Sequence, residues 1–139
     1  MKKIVYSLLM VLMFSGCANV ETYNLKYADS GKTLKLALGD MVNVELPENP
    51  TTGYSWAFFT NPEPQNIITN ITESYRQYNV AENMLGVGGI KIFSFKATHP
   101  GKVTVTGYYY RPWENMTESY VSKVVYNIVV KKPLTHQGE

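Results

Sequence analysis

Three short stretches of this 139-residue chain carry residue types suited to contacting a partner rather than transforming it. The first is NPTTGY, Asn49 to Tyr54. Pro50 fixes its own φ and restrains Asn49 to extended backbone, so the stretch begins stiffly. Thr51 and Thr52 bring hydroxyls on β-branched side chains with few rotamers, and Gly53 can take a positive φ or admit a neighbouring backbone. The same residues could equally make a turn whose threonines cap their own backbone. The second stretch is LGVGG, residues 85–89. Gly86, Gly88 and Gly89, interrupted by Val87, leave main-chain groups bare for an extended partner, or form a pliant link between strands. Neither a helix nor a Lys-Ser/Thr pair follows, so a phosphate cradle is a poor reading. The third stretch is YRPWEN, residues 110–115. Pro112 holds Arg111 extended, and Trp113 sits among polar residues, a poor place for a core indole. Exposed Trp and Arg dominate binding hot spots.

Catalytic chemistry finds little support. Cys17 is the single cysteine, which leaves no partner for a disulfide or a CxxC redox pair. His99 lies in a His-Pro-Gly turn and His136 near the C-terminus, neither with a His, Cys or carboxylate neighbour at ligand spacing. The expectation is a protein that is not an enzyme and needs no metal or cofactor.

The first residues read as a targeting segment. Lys2 and Lys3 precede an apolar run from Ile4 to Phe14, too short to span a bilayer comfortably, and Ser15-Gly16-Cys17 follows. The FSGC sequence resembles a bacterial lipobox, with Phe14 standing where Leu is usual. Residues 1–16 are thus expected to be a lipoprotein signal peptide, with Cys17 lipidated and acting as a membrane anchor. Each buried acyl CH₂ contributes about 0.8 kcal/mol. Residues 17–30 form the lipidated N-terminus and tether, 31–132 the domain and 133–139 a tail. The expected location is exported, anchored to a bacterial membrane on its periplasmic or extracellular face. Thirteen Lys and Arg less the two of the leader leave eleven, against eleven Asp and Glu. A near-neutral domain without a basic run offers no footprint for nucleic acid.

The elements that must position the three stretches are strands. After a tether that runs into a first strand near 23–27, TLKLAL (33–38) and MVNVEL (41–46) alternate apolar and polar residues. YSWAFF (54–59) places Tyr54, Trp56 and Phe58 on one side, with Trp56 expected in the core. The prolines of NPEPQN (61–66) mark a loop. Residues 67–80 form one or two strands, and 89–98, 103–110 and 119–132 one each. Helical periodicity is absent after the leader. Seven or eight short strands in about 120 residues predict an all-β, Ig-like β-sandwich.

NPTTGY (49–54), GVGG (86–89) and RPW (111–113), in this order and each between strands, resemble the three signature loops of the chagasin-like inhibitors of cysteine peptidases. The resemblance covers roughly Leu34 to Lys131. It implies an Ig-like sandwich whose loops emerge at one end and wedge reversibly into the cleft of a papain-family cysteine peptidase, endogenous or host. By this resemblance Thr51 and Thr52 reach the catalytic centre, while Pro50 and Gly53 shape their loop. The segment Gly86–Gly89 pairs backbone to backbone on the substrate side, and Arg111, Pro112 and Trp113 lie on the leaving-group side. The rival is a lipid-anchored Ig-like surface binding or adhesion module, for which Tyr108–Tyr110 beside Trp113 could form a sugar platform. The co-occurrence of all three motifs weighs against it.

Overall fold

Alternating apolar residues make eight strands among residues 19–63, 66–80 and 84–134, which are the residues the computed structural model describes. Cys17 and His136 lie outside them. The strands are β1 (Thr22–Lys26), β2 (Thr33–Leu36), β3 (Met41–Glu48), β4 (Ser55–Asn61), β5 (Ile68–Gln77), β6 (Gly89–Ala97), β7 (Gly101–Tyr110) and β8 (Ser122–Val130). They form two four-stranded sheets, in the orders β1-β3-β6-β5 and β2-β8-β7-β4. Pairing is antiparallel except at one edge of each sheet, where β1 lies parallel to β3 and β2 parallel to β8. This is the expected all-β sandwich.

Between the sheets, Val42, Val44 and Leu46 of β3 and Phe93 and Phe95 of β6 meet Val103 and Val105 of β7 and Val124, Tyr126 and Ile128 of β8. Each fully buried aliphatic or aromatic side chain contributes roughly 1.5–3 kcal/mol. Trp56 is 6% exposed and stacks on Tyr109, with ring centroids 5.0 Å apart. Its neighbour Phe58 packs edge-on against Phe93 at 4.4 Å. The Tyr126 hydroxyl donates to the Lys26 carbonyl at 2.9 Å, and burial pushes that phenol well above its ordinary pKa.

Several local features differ from the sequence reading. The first strand expected near 23–27 is present as Thr22–Lys26 and pairs along its whole length with Met41–Glu45, so the sandwich takes in residues before the boundary drawn at 31. TLKLAL is a strand only as far as Leu36, and Leu38 is exposed. The chain turns there because the buried Asp40 carboxylate accepts from the Ala37 and Glu21 amides at 2.8 and 3.1 Å. Residues 67–80 yield one strand, β5, with a bulge between Asn70 and Thr72. A single helical turn, α1 (Met116–Ser119), stands where no helix was expected; four residues are too few to show a period, and Asn115 caps it by accepting from the Thr117 amide.

Register decides where the connections fall. Glu48 stands opposite Gly89 and Gly89 opposite Gln77, while Ser55 stands opposite Tyr110 and Tyr109 opposite Ser122. The β3–β4, β5–β6 and β7–β8 connections therefore share one pole. At the far pole Thr22 faces Met41 and Gly101 faces Val130, so β1 begins and β8 ends there.

Truncating the core indole tests this packing. Trp56→Ala is expected to cost about 3–5 kcal/mol through lost burial and a cavity, read as a lower denaturant midpoint at unchanged slope.

Candidate functional site

The β3–β4 connection is a short 3₁₀ turn, Pro50–Thr52, entered through Asn49 at φ −125° and ψ 96° and left through Gly53 at φ 79°. The left-handed exit explains the glycine. Amide hydrogens along the turn are consumed internally. The Thr51 amide donates to Asn49 Oδ1 (3.2 Å), the Thr52 amide to the Asn49 carbonyl (3.1 Å) and the Gly53 amide to the Pro50 carbonyl (3.1 Å). Both threonine hydroxyls also donate inward, Thr51 Oγ1 to Asn49 Oδ1 at 2.6 Å and Thr52 Oγ1 to the Asn49 carbonyl at 2.7 Å. The turn-capping reading is therefore correct as far as the hydroxyl protons go. Thr51 and Thr52 are nonetheless exposed, so the tip presents methyl groups, oxygen lone pairs and tightly curled backbone. It carries no charge.

The second loop runs beside the first. Asn49 Nδ2 donates to the Gly86 carbonyl at 3.0 Å, and the Tyr78 amide donates to the Gly88 carbonyl at 3.1 Å. Two of the carbonyls expected to be bare are thus engaged within the protein. Packing accounts for two of the glycines as well. A Cβ at Gly88 would lie 3.2 Å from the Glu48 carbonyl, and one at Gly89 would collide with the Arg76 carbonyl and the Tyr75 ring. Gly86 is different: its φ is 77°, with only Thr51 Oγ1 within reach at 3.9 Å. Val87 and the 99% exposed Leu85 sit at the tip. Leu85 was not among the sequence candidates; the available signal was a large apolar residue set directly against a glycine run.

The third loop leans on the first from the other side. The Arg111 guanidinium lies 4.6 Å from the Tyr54 ring centroid and pairs with Glu114 at 3.6 Å. Trp113 is 71% exposed, yet its indole edge packs against Gly53, where a Cβ would strike it. Tyr54 in turn tilts onto Tyr109 at 5.4 Å, and the Tyr109 hydroxyl accepts from the Asn49 amide at 3.1 Å. All three sequence-derived motifs are therefore brought together, with the first in the middle. The lipidation candidate, Cys17, lies outside the described residues.

Comparison with known proteins gives the arrangement a family context. The family model described as "Chagasin family peptidase inhibitor I42" matches residues 35–128, a span that includes all three loops. Chagasin of Trypanosoma cruzi is 32% identical over 94 residues, covering 66% of this chain and 84% of that protein. The crystal structure of a cysteine protease inhibitor from Entamoeba histolytica superposes with a TM-score of 0.70 at 21% identity, covering 81% of this chain and 97% of that one. A structure of the inhibitor PbICP-C in complex with falcipain-2 gives a TM-score of 0.51 at 20% identity, covering 81% and 95%. At these identities the two structural likenesses establish the fold.

The glycine contacts generate a paired expectation. Gly53→Ala places an L side chain in the left-handed region, at about 1–2 kcal/mol, and displaces the indole above it. The Trp113 indole N–H resonance should move while that of Trp56 stays. Gly89→Ala, meeting backbone rather than a movable side chain, should cost about 1–3 kcal/mol in chemical unfolding and leave the Trp113 resonance in place.

Proposed function

The chain belongs to the chagasin family of peptidase inhibitors, and we propose that it blocks papain-like cysteine peptidases reversibly, with its three loops acting as one wedge. The observation that carries this reading is the contact of both outer loops with the NPTTGY turn, through Asn49 and Gly86 on one side and Trp113 and Gly53 on the other.

A papain-like peptidase offers a groove with a thiolate–imidazole pair at its floor, and substrates enter it extended. The turn at Pro50–Thr52 is curled, and its amides at Thr51, Thr52 and Gly53 are spent on its own acceptors. It can occupy the groove without laying a peptide bond across the nucleophile in attackable geometry. Thr51 and Thr52 then cover the catalytic pair with methyl and hydroxyl groups. Loop two contributes the half-buried Val87 and the exposed Leu85 on the substrate side, and Arg111, Pro112 and Trp113 flank the leaving-group side. Loops already held in place lose little freedom on binding, so more of the contact energy becomes affinity. An interface of roughly 800 Å² per partner is expected.

The anchoring part of the proposal is that Cys17 carries lipid and holds the inhibitor on the outer face of a bacterial membrane, periplasmic or extracellular. The sequence Phe14-Ser15-Gly16-Cys17 supports it. Strand direction is compatible with it: β1 starts at the pole opposite the loops, so a lipid five residues upstream of Thr22 would leave the wedge facing outward.

Titration of the purified domain into papain should give competitive, reversible loss of activity, with serine and metallopeptidases unaffected; absence of inhibition of any papain-type enzyme at high micromolar inhibitor would overturn the reading. Trp113→Ala should weaken inhibition about thirtyfold or more, the hot-spot range of about 2 kcal/mol, with stability changed by about 0.5 kcal/mol or less. Cys17→Ser should be retained as uncleaved precursor or released soluble, without altering inhibition by the domain. Wild type found wholly in the aqueous extract would refute the anchor alone.

A further inference from the structure

We infer that the Asn49 side chain is a positioning group that welds the first and second loops into one body, and that it acts on the rate of capture rather than by touching the peptidase. The inference rests on the inhibitory reading of the three loops and adds to it a division of labour inside the motif.

The geometry uses both halves of the carboxamide. Its oxygen accepts twice, from the Thr51 amide at 3.2 Å and from the Thr51 hydroxyl at 2.6 Å. Its nitrogen donates across to the Gly86 carbonyl at 3.0 Å, a contact between residues 37 apart in sequence. A carboxamide joins a donor and an acceptor on one rigid plane, which none of Asp, Ser or Thr does in this orientation. The backbone of the same residue is also fixed, its amide donating to the Tyr109 hydroxyl at 3.1 Å and its carbonyl accepting from the Thr52 hydroxyl at 2.7 Å. With its polar atoms turned onto Thr51 and Gly86, the Asn49 side chain is the keel of the wedge and not its cutting edge.

The consequence is kinetic. Gly86 has a left-handed φ of 77° and nothing but Thr51 Oγ1 within 4 Å of the position a Cβ would take, so packing alone does little to hold that peptide. Released from Asn49, the second loop samples orientations of which only a fraction fits the groove, and apparent affinity falls by that fraction. Such a loss appears in the association rate. Loss of a direct contact appears instead in dissociation, where most interface mutations act.

Asn49→Asp separates the two halves of the group. The carboxylate still accepts from Thr51, and Asp is as good a cap as Asn, but it cannot donate to the Gly86 carbonyl and repels it. Two measurements are made on this variant: amide exchange at 86–88 in the free inhibitor, and stopped-flow association and dissociation with papain. The expected result is a melting midpoint close to wild type, faster exchange in the second loop, and association slowed about tenfold with dissociation unchanged. Asn49→Ser, whose hydroxyl caps Thr51 but is too short to reach Gly86, should behave alike and serves if the Asp variant fails to fold. Unchanged exchange and association in the folded variant overturn the inference, as does a loss of affinity lying wholly in faster dissociation. Failure of wild type to inhibit would instead remove the inhibitory reading, while the exchange arm would still report on the weld.

Discussion

The first loop has to carry the chain from one sheet to the other, and the structure depends on how that crossing is clamped at its base. Pro47 and Glu48 end β3 in one sheet; Trp56 lies just inside β4 in the other. The Trp56 amide donates to the Glu48 carboxylate at 3.0 Å and the Trp56 indole N–H to the Pro47 carbonyl at 2.8 Å. Glu48 is 8% exposed, so an unmade bond there would leave a buried charge or amide uncompensated, at several times the net value of an ordinary hydrogen bond. These two bonds set the separation of the loop's stems. With the stems fixed, six residues have only a tight turn available to them.

From that clamp order passes outward through aromatic contact. Trp56 stacks on Tyr109 at 5.0 Å, Tyr109 meets Tyr54 at 5.4 Å, and Tyr54 lies under the Arg111 guanidinium at 4.6 Å. The series runs from the core to the start of the third loop in three contacts, through three rings with few rotamers to a planar guanidinium. Aromatic pairs of this kind add about 0.5–1.5 kcal/mol beyond area burial, so the loop inherits rigidity from the core instead of generating its own. The Tyr109 hydroxyl extends the same series sideways to the Asn49 amide. One tyrosine at the loop end of β7 thereby touches the core, the first loop and the base of the third.

How much of this was legible in the sequence follows from what each feature needs. Period-two alternation in MVNVEL, GIKIFSFKA and KVVYNIVV is a local property of a half-buried strand, and it located β3, β6 and β8. The contrast between Trp56 in an apolar run and Trp113 among polar residues was local too, and the burial of one and exposure of the other agree with it. The buried acids were not legible. Asp40 and Glu48 sit beside turn residues, where acids ordinarily face water, and besides the local Ala37 amide their burial rests on partners distant in sequence or across the sandwich, Glu21 and Trp56. The strand expected near 23–27 is β1, but its parallel place on the edge of β3 was not legible, and α1 is too short to show any period. The bond from Asn49 to Gly86 spans 37 residues, and no pattern within either motif announces it.

This last point changes what the three motifs mean. Read as surface chemistry, every motif residue is a contact. The geometry divides them. Gly53 is needed for a left-handed exit and for space beneath an indole, Gly88 and Gly89 because β3 and β5 pass too close for a Cβ, and Asn49 because two loops must be joined. Pro50 and Tyr54 shape and support. What remains exposed is a smaller set: the threonine methyls and oxygens, Leu85 at the tip of the second loop, and Pro112 with the outer face of Trp113. A motif of thirteen residues can thus present a narrow, uncharged edge, because most of it is occupied in holding that edge still.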